Sequence, residues 1–291
     1  MAPLDVDVLI TGPSGTGKSA LAAAIVTNSA RARGPFMAIN CAAIPEHLIE
    51  SELFGAERGA HSTATRRMPG KVAAAEGGTL FLDEVGELSA SAQAKLLQLL
   101  ATREYHPLGA DAPVRADVRI ISATNAKLVE RVAAKQFRDD LYYRMHVMPL
   151  EIPGLELRRE DIPDLVEHFC AEVCKRHKLA PMAVARRALA ACREAPWPGN
   201  VRQLANAVEA AVIRARGEQS ATVLEHHIFP EAARADDAEL GFQEATRRFQ
   251  RRVVEEALAR NDWNIAETAR QLDLARSHLY NLINGFGLTR G

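Results

Sequence analysis

Eight residues near the start of the chain have the types and spacing to hold a run of phosphates. Gly12-Pro13-Ser14-Gly15-Thr16-Gly17-Lys18-Ser19 fits G-x-x-x-x-G-K-[ST] at every fixed position. Its glycines let the backbone curl so that several N–H groups point inward. A helix opening at Lys18–Ser19 would aim its positive dipole end at the same spot. Lys18 is then placed to reach β- and γ-phosphates and Ser19 to hold Mg²⁺, which implies ATP as ligand. The plainer reading is a glycine-rich turn with no ligand. The flanks weigh against it, because an apolar run, Val6 to Thr11, leads in and an Ala-rich helical pattern, Ser19 to Ser29, follows.

A second group is acidic. Asp83 and Glu84 directly follow Leu80-Phe81-Leu82. In an open α/β sheet, ligands sit at the carboxyl ends of strands. There Asp83 can hold Mg²⁺ through water while Glu84 polarises an attacking water. The alternative is a strand that ends in a solvated acidic turn. Asn125 closes Ala123-Thr124-Asn125. Its amide could orient the water or touch the γ-phosphate, although an Asn at a strand end also reads as a turn residue. Arg138 and Arg144 stand six apart in Phe137-Arg-Asp-Asp-Leu-Tyr-Tyr-Arg144, on different sides of one helix. From composition alone they read as surface salt-bridge partners.

These groups need strands to carry them. Residues 6–11, 36–40, 79–83, 118–123 and 147–152 read as buried strands with helical patterns between them. That is a βαβ series with a five-stranded parallel sheet covered on both faces. Pro149 suggests an edge position for the fifth strand. From Pro153 the pattern changes. Residues 160–176, 182–194 and 200–215 read as amphipathic helices with no strands between them. Pro196-Trp-Pro-Gly199 is a hard turn before the third. The polar stretch Glu231 to Gly241 reads as a linker, and the last fifty residues are helical again.

Composition narrows the class. The 291 residues are 47% apolar and 25% charged, as in ordinary soluble globular proteins. A formal net charge of −1 gives no global attraction for nucleic acid, so DNA binding would need locally placed residues. No apolar run approaches the ~20 residues needed to span a membrane. Met1 to Asp7 carries acids and no basic region, unlike a signal peptide. Four cysteines in this length make no disulfide framework, and a reducing cytoplasm is the expected location.

Near the end, Asn264 to Leu272 gives one short helix, Asp273-Leu-Ala275 a turn, and Arg276 to Ile283 a second helix. Small Ala266 and Ala269 let the two cross closely. This is a helix-turn-helix whose second helix would enter the major groove. Arg276, Ser277, His278 and Asn281 are candidate base or phosphate contacts, with Tyr280 either touching phosphate or packing. From Thr268 on, three arginines stand against one aspartate, a formal +2. So weak a footprint leaves a helical protein-docking module open. The preceding stretch, with Phe249, Val253, Val254, Ala257 and Leu258 on one face, reads as a dimer surface. Arg247, Arg248, Arg251 and Arg252 read as its solvated side. His168, Cys170, Cys174 and His177 crowd one helix. Zinc usually takes four convergent ligands from more than one element, so these read as helix core and surface, not as a metal site.

Further stretches carry a family resemblance. Glu50-Ser-Glu-Leu-Phe-Gly55 and Glu76-Gly-Gly-Thr-Leu-Phe-Leu-Asp-Glu84 resemble the AAA+ domain of bacterial enhancer-binding proteins, the ATPases that activate sigma-54 RNA polymerase. Ala38-Ile-Asn-Cys-Ala-Ala43, Phe137 to Arg144, Trp197-Pro-Gly-Asn-Val-Arg202 and the Fis-type helix-turn-helix extend the resemblance along the chain. It implies an AAA+ α/β subdomain over 1–153, a helical lid over 154–230, a linker over 231–241 and a DNA-binding domain over 242–291. It also implies that Arg138 and Arg144 act as fingers on a neighbouring subunit's ATP, in a ring that is usually hexameric. By the same resemblance, Asn40 restrains the glutamate and Arg202 senses nucleotide from the lid.

Two departures stand out. The family carries Gly-Ala-Phe-Thr-Gly-Ala on a surface loop that touches sigma-54; here the aligned residues are Gly59-Ala60-His61-Ser62-Thr63-Ala64. His61 is smaller than Phe and titrates near neutral pH. Thr63 lacks the backbone freedom of Gly. The family also usually has a segment before the first strand that helps enclose adenine, and often a regulatory domain before that. Here about five residues precede the strand, which reads as a trimmed or domain-minimal member. The leading expectation is an ATP-driven ring activator that binds upstream DNA through paired C-terminal domains. Its rival is a DNA-binding regulator in which nucleotide sets only the oligomeric state and the altered loop leaves sigma-54 alone.

Overall fold

The computed structural model describes residues 4–59, 68–230 and 242–288. The chain divides into two compact units, Met1–Val223 and Leu224–Gly291.

The first unit is built on five parallel strands, β1 (Val8–Thr11), β2 (Phe36–Asn40), β3 (Thr79–Asp83), β6 (Arg119–Thr124) and β7 (Pro149–Glu151), in the order β2-β3-β6-β1-β7. Parallel strands need crossovers, and the sequence supplies helices for them. These are α1 (Lys18–Thr27), α2 (Glu46–Phe54), α3 (Lys71–Ala74), α4 (Ala90–Thr102), α5 (Leu128–Ala133) and α6 (Asp139–Met145). Alternation along each strand sorts its side chains between two layers. Leu9, Leu80, Leu82 and Ile120 join Leu53 of α2, Leu96 and Leu99 of α4 and Leu141 of α6 in one core. Val8, Ile10, Phe81, Ile121 and Ala123 join Ala22, Ile25 and Val26 of α1 in the other. Each fully buried aliphatic side chain contributes about 1.5–3 kcal/mol, so the sheet is fixed from both sides. Pro149 does lie in an edge strand, since among the described residues β7 pairs only with β1.

Two small pairings escaped the sequence reading. β4 (Glu104–Tyr105) and β5 (Val114–Arg115) form an antiparallel hairpin. β8 (Ala183–Val184) pairs in parallel with β9 (Thr222–Val223). The second corrects the expected unbroken helix over 182–194 and the expectation of no strands among the lid helices. Helix α8 starts only at Arg186 (Arg186–Glu194), between α7 (Ile162–Arg176) and α9 (Asn200–Gly217). Two-residue strands are too short to show a period, which is why they left no trace in the pattern.

Among the described residues the second unit holds a short helix, Glu225–Ile228, and three longer ones, Phe242–Arg260, Ile265–Gln271 and Arg276–Phe286. Asn264 caps the middle one by accepting from the N–H groups of Ala266 and Glu267. Val254, Leu258, Ala269, Leu279 and Ile283 form its core. Val254 and Leu258 are therefore spent inside the unit and do not belong to an open dimer face. Residues 231–241 lie outside the described residues. Among the described residues no helix is long and apolar enough to cross a membrane.

Candidate functional site

Three adjacent strands deliver the chemistry to one edge of the sheet. β1 runs into the glycine loop, β3 ends at Asp83 with Glu84 next, and β6 ends at Thr124 with Asn125 next. Because the strands are parallel and ordered β3-β6-β1, these ends lie side by side.

Lys18 is 6% exposed. Its Nζ donates to the carbonyls of Gly12 (3.0 Å) and Pro13 (3.3 Å) and stands 3.9 Å from Glu84 Oε1. Thr16 Oγ1 donates to Pro13 O at 2.9 Å, which tightens the loop containing Pro13 and Ser14. Ser19 Oγ donates to Asp83 Oδ2 at 3.4 Å, and Asp83 Oδ1 accepts from the Glu84 N–H at 3.1 Å. Glu84 itself has φ +54, a left-handed backbone rare for a non-glycine residue. That turn swings its carboxylate towards β6, where Oε2 accepts from the Asn125 N–H at 3.0 Å. A cavity of about 560 Å³ opens beside Glu84 and Asn125, with Cys41, Glu46 and Glu87 also in its wall. Burial, with Asp83 nearby, pushes the Cys41 thiol up to about 12, so it stays protonated and inert.

The donor set fits a magnesium nucleotide. A buried ammonium that donates to two loop carbonyls and faces the Glu84 carboxylate lies under the loop, beside a hydroxyl–carboxylate pair of hard oxygen ligands. Gly17 has φ +102, and a Cβ there would meet no heavy atom within 4 Å, so the mouth of the cradle is open where α1 begins. Lys18 could hold phosphate, Ser19 and Asp83 a hard cation, and Glu84 a water.

The remaining expected residues fall in several places. Asn40 ends β2 opposite Asp83 in register, and its Oδ1 accepts from the Ala42 N–H at 2.9 Å. Arg138 is the residue just before α6. Its Nε and Nη2 donate to the two carboxylate oxygens of Asp140, at 2.9 and 2.7 Å. The side chain of Arg144 reaches back to α4, where Nε and Nη2 donate to Leu100 O at 3.1 and 2.7 Å. Both arginines are thus engaged within their own chain. Arg202 has an exposed side chain on the first turn of α9, and its N–H donates to Gly15 O at 3.1 Å.

Two lid residues that the sequence reading passed over also touch the loop. Asn200 Nδ2 donates to Ser14 O at 2.9 Å, and Arg158 Nη2 donates to Thr16 O at 2.9 Å. The signal for Asn200 lies in Gly199-Asn-Val-Arg202, two residues before the expected sensor Arg202.

Gly59 is exposed, and 60–64 lie outside the described residues, so His61, Ser62 and Thr63 have no structural account. The neck leading to them is defined. Ala56 and Met68 exchange two backbone hydrogen bonds (2.9 and 2.8 Å), and Glu57 N–H donates to Leu108 O at 2.9 Å. In the second unit, Arg276, Ser277, His278, Tyr280 and Asn281 are all exposed on one helix, while Leu279 and Ile283 turn inward. In the lid, Cys170 and Cys174 are buried. The Cys170 thiol, pushed up to about 11 by burial, donates to Met182 O, while His177 lies 3.4 Å from Glu209.

An open parallel sheet with a phosphate-type loop, paired acids at a neighbouring strand end and a helical lid defines the AAA+ class. Residues 1–151 match the Sigma-54 interaction domain, 156–241 the AAA+ ATPase lid domain, and 245–282 the Fis family of bacterial regulatory proteins. The chain belongs to the Sigma-54 interaction domain family. It is 42% identical over 285 residues to the transcriptional regulatory protein GlrR of Escherichia coli (strain K12), covering 98% of this chain and 63% of that protein. It is 41% identical over 302 residues to the anaerobic nitric oxide reductase transcription regulator NorR of Klebsiella pneumoniae (strain 342), covering 99% and 58%. The chain therefore spans about three fifths of these relatives' length. The crystal structure of NtrX from Brucella abortus in complex with ADP superposes with a TM-score of 0.72 at 35% identity, covering 99% of this chain and 66% of that one.

Proposed function

We propose that this chain hydrolyses ATP in a ring of its own copies and remodels sigma-54 RNA polymerase for open-complex formation, while its C-terminal helices hold upstream DNA. The observation that carries the reading is the convergence of Lys18, Ser19, Asp83 and Glu84 on one sheet edge, with the Ser19–Asp83 and Lys18–Glu84 pairs already in place. Bound Mg·ATP supplies the phosphoanhydride whose cleavage powers the cycle. Lys18 and the loop N–H groups hold its phosphates, and Ser19 with Asp83 holds the metal. Glu84 orients and deprotonates a water, its carboxylate steadied by the Asn125 N–H. Arg138 and Arg144 of a neighbouring copy add positive charge where the transition state needs it, which requires them to leave Asp140 and Leu100 O. The NtrX structure with ADP and the matches to a sigma-54 interaction domain and a Fis-type helix-turn-helix support this reading.

The test is ATP turnover by Glu84→Gln. Loss of a general base lowers turnover about 10²–10⁴-fold with binding kept. Turnover at the wild-type rate overturns the role of Glu84. The rival regulator, in which nucleotide only sets oligomeric state, is favoured by one observation, the His61-Ser62-Thr63 stretch in the output loop. An open-complex assay with sigma-54 holoenzyme, run with wild type and His61→Phe, separates the two. ATP-dependent opening by wild type supports the activator. Opening by His61→Phe alone, or by neither despite an active ATPase, supports the rival.

A further inference from the structure

Three successive carbonyls on the rear of the phosphate loop are held by the lid: Ser14 O by Asn200, Gly15 O by the Arg202 N–H, and Thr16 O by Arg158. A trans peptide is planar, with its C=O and the following N–H pointing in opposite directions. Fixing those carbonyls on the lid side turns the N–H groups of Gly15, Thr16 and Gly17 to the other side, where a phosphate would lie. Donors aimed before the ligand arrives cost nothing to order when it binds.

Asn200 is suited to this by its chemistry. It is 6% exposed and has φ +52, a left-handed conformation that Asn tolerates better than most residues. Its Nδ2 donates to the loop while its Oδ1 accepts from the Leu155 N–H at 2.7 Å, at the entry to the lid. A carboxamide carries donor and acceptor at one terminus; a carboxylate of the same shape would set negative charge against the Ser14 carbonyl. Arg158 adds a mostly buried cation behind Thr16, anchored also 3.9 Å from Asp161.

We propose that Asn200 and Arg158 are positioning residues that aim the loop donors and tie nucleotide affinity to lid closure. This rests on the ATP reading above. The test uses the full chain and three readouts: binding of a fluorescent ATP analogue, amide exchange of the 12–19 segment without nucleotide, and melting temperature. Asn200→Asp keeps the size and the acceptor for Leu155 but removes the donor. Losing about one net hydrogen bond of preorganisation weakens binding about tenfold. Exchange over 15–17 becomes faster, KM for ATP rises more than kcat falls, and melting shifts by only a few degrees. Arg158→Gln follows the same pattern, and Arg158→Lys, which keeps a donor, recovers part of the loss. If Asn200→Asp does not fold, the Arg158 pair decides. Wild-type affinity with unchanged exchange overturns the proposal. A wild-type chain that binds no nucleotide, like a Lys18→Ala control, overturns the ATP reading instead, while nucleotide-free exchange still reports on the clasp.

Discussion

Arg138 meets its own Asp140 before it meets anything else. The side-chain pair raises the guanidinium pKa and holds the Asp140 carboxyl below the usual carboxylate range. Both side chains are nearly half exposed, so the pair adds little to stability. Its effect should therefore appear in turnover. Arg138→Ala is expected to lower ring ATPase about 10³–10⁵-fold, the range for comparable fingers, with nucleotide binding intact. Asp140→Ala is expected to change turnover while leaving the melting temperature in place, and a calorimetric scan beside the ATPase assay checks both. Glu84 shows the opposite balance. Its left-handed backbone costs about 1 kcal/mol. Glu84→Gly should therefore melt higher than Glu84→Gln, by about 2–4 °C, although both lose hydrolysis.

The three inner strands were legible because each is buried on both faces and so reads as an apolar run, Thr79-Leu-Phe-Leu being the plainest, whereas the edge strands β2 and β7, expected to be buried, are apolar runs that stay largely exposed. The loop, Asp83 and Glu84 followed from where those runs stop. The helices of the second unit were legible from Leu279 and Ile283 at helical spacing. Three things were not legible. β4–β5 and β8–β9 are two-residue pairings with no periodicity. The Arg138–Asp140 contact spans i,i+2 across a helix start, a geometry that helical spacing does not bring together. The role of Asn200 depends on a backbone turn and on lid and loop packing face to face. That packing sets a prediction at this scale. Gly15 has φ +76, and a Cβ there would lie 2.4 Å from Gly199 O. Gly15→Ala should push α9 off the loop and abolish tight nucleotide binding while the sheet survives, seen as lost analogue fluorescence with near-wild-type circular dichroism.

In the whole molecule, each proposed site is divided between copies. Lys18 and Glu84 serve their own nucleotide, whereas Arg138 and Arg144 would serve a neighbour's. Lys18→Ala and Arg138→Ala chains, each inactive alone, should regain part of the ATPase when mixed, because one supplies fingers and the other supplies a phosphate loop. No recovery at any mixing ratio would argue against sites shared between subunits. The neck at Ala56–Met68, tied to Leu108, bears on how such a molecule can be rebuilt. Two arms stitched together at the base fix where a loop enters and leaves the domain, so the residues carried between them can be exchanged as a cassette. Replacing residues 59–64 with Gly-Ala-Phe-Thr-Gly-Ala should thus be a clean transplant that leaves melting and basal turnover alone and alters only what the ring can grip. The same joint would let a lineage retarget its motor by changing a handful of codons, without redesigning the engine behind it.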